Sequence, residues 1–288
     1  MAVGCDPYVS RDVCKAMNNT SSHTETISSG LANPLESTQT HIFRDLPLSF
    51  RWPVWRPLIA MVLLSLLIRT FEIDQKISGM CYDSVRGEWP LERAEPWLWF
   101  YRNGTYPPMF VGIAGAMIAL FGPKIFPSMD PQKLNRTRRC GAFLALLLLI
   151  GPGLLVNASL KSLWGRPRPL QCQEFGGEMK FLPVGEWAKQ SFPNSSFPSG
   201  HASVAFFLMG LGFVISPRRP WLRWGCFVGG MAYGLAMGFT RVLQGGHFLS
   251  DVLWAGAIVY FVGVALERIL IYPGAAGLCE SDDGFRIG

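Results

Sequence analysis

The chain has 288 residues, of which 49% are hydrophobic and 16% charged, against about 25% charged in an average soluble domain. Its formal net charge of +6 is not gathered into a Lys/Arg-rich run interleaved with exposed aromatics, which argues against a nucleic-acid partner. The seven cysteines show no metal-ligand spacing, which argues against structural zinc.

In chain order, residues 1–50 are polar and rich in Ser, Thr and Asn without the apolar core of a secretion signal; they read as a disordered cytoplasmic tail. From residue 51 to 272 the apolar residues gather into stretches able to cross a hydrocarbon core about 30 Å thick. The candidate spans are 53–71, 106–123, 140–160, 201–217, 222–240 and 252–272, which implies an all-α, polytopic membrane bundle of about six helices. Cys140 to Leu160 carries no charge at all, and Pro152 inside it should kink the helix because it removes one backbone donor. Residues 273–288 form a short second tail. The loops sort by charge. Lys124, Lys133, Arg136, Arg138 and Arg139 mark one loop, and Arg218, Arg219 and Arg223 another on the same side. By the positive-inside rule that side is cytoplasmic, both termini are cytoplasmic, and the 73–105 and 161–200 loops face outward.

Three polar clusters fall on that outer face. In Lys161-Ser-Leu-Trp-Gly-Arg-Pro-Arg168-Pro, Gly165, Pro167 and Pro169 should end the third helix and leave Arg168 on an extended segment. Lys161 and Arg168 can then grip a phosphate from two directions, although basic residues also anchor span ends at an interface. Phe197-Pro198-Ser199-Gly200-His201 reads as a helix start. Its backbone N–H groups and the Ser199 hydroxyl can meet an anion while His201 acts as a proton donor; a plain cap with an interfacial histidine fits as well. Arg241, His247 and Asp251 form the third cluster. If a helix starts near 247, the four-residue spacing lets the carboxylate hold one imidazole N–H and leaves the other nitrogen to attack phosphorus. Gly245 and Gly246 would let the loop approach a phosphate, and an ionisable pair this close to a bilayer is costly unless used. Trp164, Arg166 and Phe197 flank these clusters and read as packing or loop residues.

Together the clusters resemble the type 2 phosphatidic acid phosphatase (PAP2) superfamily pattern: Lys161 to Arg168-Pro169, then Pro198-Ser199-Gly200-His201, then Arg241 to His247 to Asp251, with Thr240 where serine is usual. The resemblance covers roughly residues 140–266 and implies a phosphatase working through a phosphohistidine. In it His247 attacks phosphorus, Asp251 orients that ring, and His201 protonates the departing alcohol. Lys161, Arg168, Ser199, Gly200 and Arg241 bind the phosphoryl oxygens, and neither metal nor cofactor is required.

The spans point to the lipid phosphatase branch, so the expected partners are a lipid phosphate and the bilayer. Gln244 to Asp251 is most similar to bacterial lipid A phosphatases, which implies lipid A phosphate as substrate and an inner-membrane protein with its site toward the periplasm. Undecaprenyl diphosphate, phosphatidylglycerol phosphate and phosphatidate are alternative substrates, and a non-catalytic lipid-phosphate-binding or transport protein is the alternative of another class. Cys81 and Cys172 share the predicted outer face, where they can be either joined or free.

Overall fold

A computed structural model describes residues 52–188 and 195–271; the expected tails over 1–50 and 273–288 lie outside them. The described residues are helical, with only isolated bridges at Asp83–Glu88 and Cys172–Met179 and no β-sheet. Helix α1 covers Trp55–Thr70, α2 Ile73–Cys81, α3 Trp97–Asn103 and α4 Tyr106–Ile125. Helix α5 begins at Pro131 and runs to Leu148. Its start is set by Asp130, whose carboxylate accepts from the N–H groups of Gln132 and Lys133, and by proline at the first turn.

At Leu149 α5 widens into a π-helical segment that continues to Leu160, followed by one α turn, Lys161–Trp164. Pro152 was expected to kink this helix. It lies inside the π-helical segment, whose wider register accommodates its missing N–H, and Asn157 Nδ2 donates to the Pro152 carbonyl at 2.7 Å. Helices α6 (Gly200–Phe206) and α7 (Gly210–Val214) are joined by a 3-10 turn, and α8 (Pro220–Leu243) and α9 (Leu249–Leu266) complete the bundle.

Among the described residues, four helical stretches are long and apolar enough to cross a membrane: Trp97–Ile125, Pro131–Gln171, Pro220–Leu243 and Leu249–Ile271. The other two expected spans are present as helices but are shorter, α1 with 16 residues and Gly200–Val214 in two pieces. The outward faces are apolar rather than polar: Phe110 and Leu120 are each 69% exposed, and Ile59, Leu66, Leu149 and Phe239 are exposed as well. A belt of that kind is stable only against lipid, so the protein is an integral membrane protein.

The interior is filled by Phe143 and Leu147 of α5, Phe206, Met209 and Phe213 around α6 and α7, and Val252, Ala255 and Val259 of α9. Gly230 of α8 lies so near the Leu208–Met209 backbone that any side chain there would collide with it. That close packing fixes α8 against the α6–α7 segment, and so fixes Arg241 at the end of α8 relative to His201 at the start of α6.

Candidate active site

At one end of the bundle the polypeptide segments that carry the three clusters are tied together through their backbones. Leu170 N donates to Gly245 O at 3.1 Å, Ser196 N to Arg166 O at 2.7 Å, and Ser199 N to Asp251 O at 3.2 Å. The end of α5, the entry to α6, the exit of α8 and the entry to α9 therefore form one cradle.

His247 is buried, 1% exposed, and lies in the turn between α8 and α9. The expected helix start near residue 247 is corrected by two residues: α9 begins at Leu249 with Phe248 as its cap. His247 is thus not one turn below Asp251 on a helix, and its Nδ1 stands 3.8 Å from Asp251 Oδ2, beyond hydrogen-bonding reach. Nδ1 instead meets the carbonyl oxygen of Ser196 at 2.7 Å. A carbonyl only accepts, so Nδ1 carries the proton and Nε2 keeps its lone pair.

Asp251 is occupied elsewhere. Its Oδ1 accepts from Arg166 Nη1 at 2.5 Å, and its Oδ2 accepts from Phe248 N at 2.8 Å, in the manner of a capping box, and from the Ser196 hydroxyl. Ser196 therefore links the two residues, with its hydroxyl on the carboxylate and its carbonyl on the imidazole. Burial holds the His247 imidazole down to about 4; Asp251 pulls it up, and the Arg241 and Arg168 charges push it further down. The ring is neutral at physiological pH, as a nucleophile must be.

His201 opens α6. Its ring lies 4.7 Å from that of Tyr101, and the charges acting on it are those of Arg241, His247, Lys161 and Arg168. The two imidazoles and three cations picked out in the sequence are thus electrostatic neighbours. Arg241 lies with its guanidinium carbon 4.3 Å over the Tyr101 ring and donates from Nη1 to Gln244 Oε1 at 2.6 Å, while its buried Nε has no hydrogen-bond partner among the described residues. A buried, unspent donor beside two histidines is what an incoming phosphoryl oxygen would use.

Ser199 caps α6: its oxygen accepts from Ala202 N at 3.5 Å, which employs a lone pair and not the hydroxyl proton. Gly200 brings this helix start against Asn157 of the π segment, where a side chain would collide. Gly245 has φ +64°, a left-handed conformation suited to glycine, and packs under Trp89; Gly246 presses against the Arg241 guanidinium.

Sequence reasoning missed several residues here. Arg166, read as packing, is 1% exposed and bridges two carboxylates, Asp251 and Asp74 of α2, the latter at 2.9 Å. Its Nε donates to Leu182 O at 2.8 Å, and its guanidinium lies 4.4 Å from the Phe248 ring. Ser196, Tyr101 and Gln244 were missed too. The one available signal was an arginine placed between Gly165 and Pro167 beside the apolar third span, where an unpaired charge is costly. Cys81 and Cys172 are both free thiols, and burial pushes Cys172 up to about 12 while its Sγ–H donates to Arg168 O at 3.2 Å.

A family model described as the PAP2 superfamily matches residues 141–272, the stretch that holds all three clusters. A lipid A 4'-phosphatase of Francisella tularensis subsp. novicida (strain U112) is 36% identical over 162 residues, 56% of this chain and 68% of that protein. The chain belongs to the PAP2 superfamily. Two further relatives, from Rhizobium leguminosarum and Rhizobium etli (strain ATCC 51251 / DSM 11541 / JCM 21823 / NBRC 15573 / CFN 42), are also named lipid A 4'-phosphatase. Each is 40% identical over 119 residues, 41% of this chain and 50% and 45% of their own lengths. The chain thus spans about half of each rhizobial relative. No solved structure matches. PAP2 membership, together with the apolar helices, makes the protein a membrane-embedded phosphatase, a phosphoric ester hydrolase.

Proposed function

We propose that this PAP2 protein removes a phosphate from lipid A by way of a phosphohistidine on His247. The observation that carries the reading is the hydrogen bond from His247 Nδ1 to the Ser196 carbonyl, which leaves Nε2 as the nucleophile in a pocket ringed by cations. Nε2 forms a bond to phosphorus as the ester P–O bond breaks, and His201, entering the step as the imidazolium, gives its proton to the leaving sugar oxygen and becomes neutral. Water then returns that proton to His201 while its oxygen attacks phosphorus and the P–N bond breaks, which frees phosphate and restores both rings. Lys161, Arg168 and Arg241, with the Ser199 hydroxyl and the backbone at Gly200, neutralise charge on the equatorial oxygens.

The names of the relatives support lipid A as substrate. The basic stretches at 124–139, which run into the first turns of α5, and at 216–223, which run into α8, support a cradle on the periplasmic side of the inner membrane, with residues 51–272 as the phosphatase domain and its two tails cytoplasmic. In this arrangement α1 and the α6–α7 segment complete six crossings.

The test is phosphate release by purified protein in detergent, offered lipid A, undecaprenyl diphosphate, phosphatidylglycerol phosphate and phosphatidate. We expect lipid A to have the highest kcat/KM and His247→Ala to be inactive. A faster rate on another lipid would move the substrate assignment, and a fully active His247→Ala would remove the mechanism.

A further inference from the structure

The mechanism has a charge requirement that the PAP2 clusters do not meet by themselves. When Nε2 bonds to phosphorus and Nδ1 keeps its proton, the His247 ring becomes a cation. Its surroundings are Arg241, Arg168, His201 and Asp251. The charge of the phosphoryl group itself is met by Lys161, Arg168 and Arg241, so Asp251 is the one anionic side chain of that set; Arg166 lies on it at 2.5 Å, both side chains fully buried. One positive and one negative charge cancel, so the pair alone offers the ring a dipole and no net charge.

Asp74 changes that balance. It stands on α2, outside the three clusters, and is 2% exposed. Its carboxylate accepts from Arg166 Nη2 at 2.9 Å, from Ser250 N at 2.9 Å and from Ser250 Oγ at 2.5 Å, and Ser250 Oγ in turn accepts from Arg166 Nη1 at 2.8 Å. Every contact on Asp74 is a donor, as an ionised carboxylate needs. Asp74, Arg166 and Asp251 together carry one net negative charge, buried and connected to His247 through the Ser196 hydroxyl and carbonyl.

We propose that Asp74 is a positioning residue for phosphoryl transfer: by sharing Arg166 with Asp251 it keeps the network under His247 anionic, and it thereby stabilises the phosphorylated ring. The inference rests on His247 being the nucleophile. A purely structural staple between α2 and the start of α9 would use the same hydrogen bonds, so the test must read charge and not only integrity.

The experiment uses the full-length protein in detergent with lipid A as substrate, and compares the parent protein, Asp74→Asn and Asp74→Asn/Arg166→Gln. Asparagine keeps the shape and removes the charge, so the network becomes neutral. Deleting the arginine as well leaves Asp251 alone and restores one net negative charge. We expect Asp74→Asn to lower kcat about ten-fold or more, by analogy with the loss when the outer hydrogen-bond partner of a metal-ligating histidine is removed, with KM unchanged. We also expect the acid limb of its kcat/KM profile to move to lower pH, because the protonated ring loses its counter-charge. The double variant should be faster than Asp74→Asn. A staple predicts the reverse order, since the double variant loses more hydrogen bonds. Monodispersity on size exclusion checks folding, and if the double variant does not fold, the rate and acid limb of Asp74→Asn decide alone. Unchanged kcat or an unmoved limb in Asp74→Asn would overturn the inference while leaving the His247 mechanism standing. A parent protein that is inactive on every lipid, or a fully active His247→Ala, would instead overturn the underlying reading.

Discussion

Replacing Arg166 by lysine keeps the charge and removes the fork, and the structure sets the cost. The guanidinium donates to Asp251 at 2.5 Å, to Asp74 at 2.9 Å, to Ser250 Oγ at 2.8 Å and to Leu182 O at 2.8 Å, in three different directions. One ammonium can sit on one carboxylate and not on both. At least one buried carboxylate then loses its charge-assisted bond, worth about 1.5–3 kcal/mol, and the Leu182 carbonyl goes unpaired at about 1–3 kcal/mol. Relaxation of neighbouring side chains recovers part of this, so a loss of about 3–5 kcal/mol is expected, the range for breaking a buried ion pair. Unfolding of the purified protein in mixed micelles with increasing dodecyl sulfate measures it. A loss under about 1 kcal/mol, the size of an exposed pair, would show that the network does not hold α2, the segment after Trp164 and the start of α9 together.

Three further outcomes follow from the geometry. His201→Asn should lower kcat by about 10²–10⁴, as expected for loss of a general acid, and the loss should shrink with an aryl phosphate whose leaving oxygen needs no proton; equal losses on both substrates would contradict the role. Tyr101→Ala removes the ring that lies against both His201 and Arg241, each contact being worth about 0.5–2 kcal/mol, so kcat/KM should fall about ten-fold or more while Tyr101→Phe stays near parent; equal loss in both would place the effect in the hydroxyl. The free-enzyme acid limb assigned to His247 should lie near pH 4 rather than near the ordinary histidine value of about 6.5, once the second ionisation of the substrate phosphate at about 6 is allowed for. The sign is that of a base whose folded pKa is lowered: its contribution to stability is complete above the unfolded value and is lost as pH falls from there toward 4. A limb at 6.5 would mean that the ring is solvated in the working protein.

Much of this was legible in the sequence because it depends on short-range rules. The uncharged run Cys140 to Leu160 announces a membrane helix, and Pro198 and Ser199 announce the start of α6. The order and spacing of Lys161, Arg168, His201, Arg241 and His247 were enough to gather them at one end of the bundle. What spacing could not show is how a side chain divides its bonds among competitors. The four residues from His247 to Asp251 suggested a direct bond, but Phe248 N, Ser196 and Arg166 claim the carboxylate, and a carbonyl 51 positions away in sequence takes the imidazole proton. Asp74 was invisible for a related reason: its partners Arg166 and Ser250 lie 92 and 176 positions away, and no local pattern marks a contact of that range. The π widening at Leu149 escaped notice because proline suggests a kink before it suggests a change of register.

Transfer of the phosphoryl group to His247 is the central step. Rapid quenching of the protein with radiolabelled lipid A, followed by alkaline digestion and mass spectrometry, reads this directly. An acid-labile, base-stable phosphoryl group is expected on Nε2 of His247, absent from His247→Ala and accumulating when His201 is replaced and a good leaving group is supplied. A phosphoryl group on His201 or on Ser199, or steady turnover with no phosphoenzyme at any time, would contradict it.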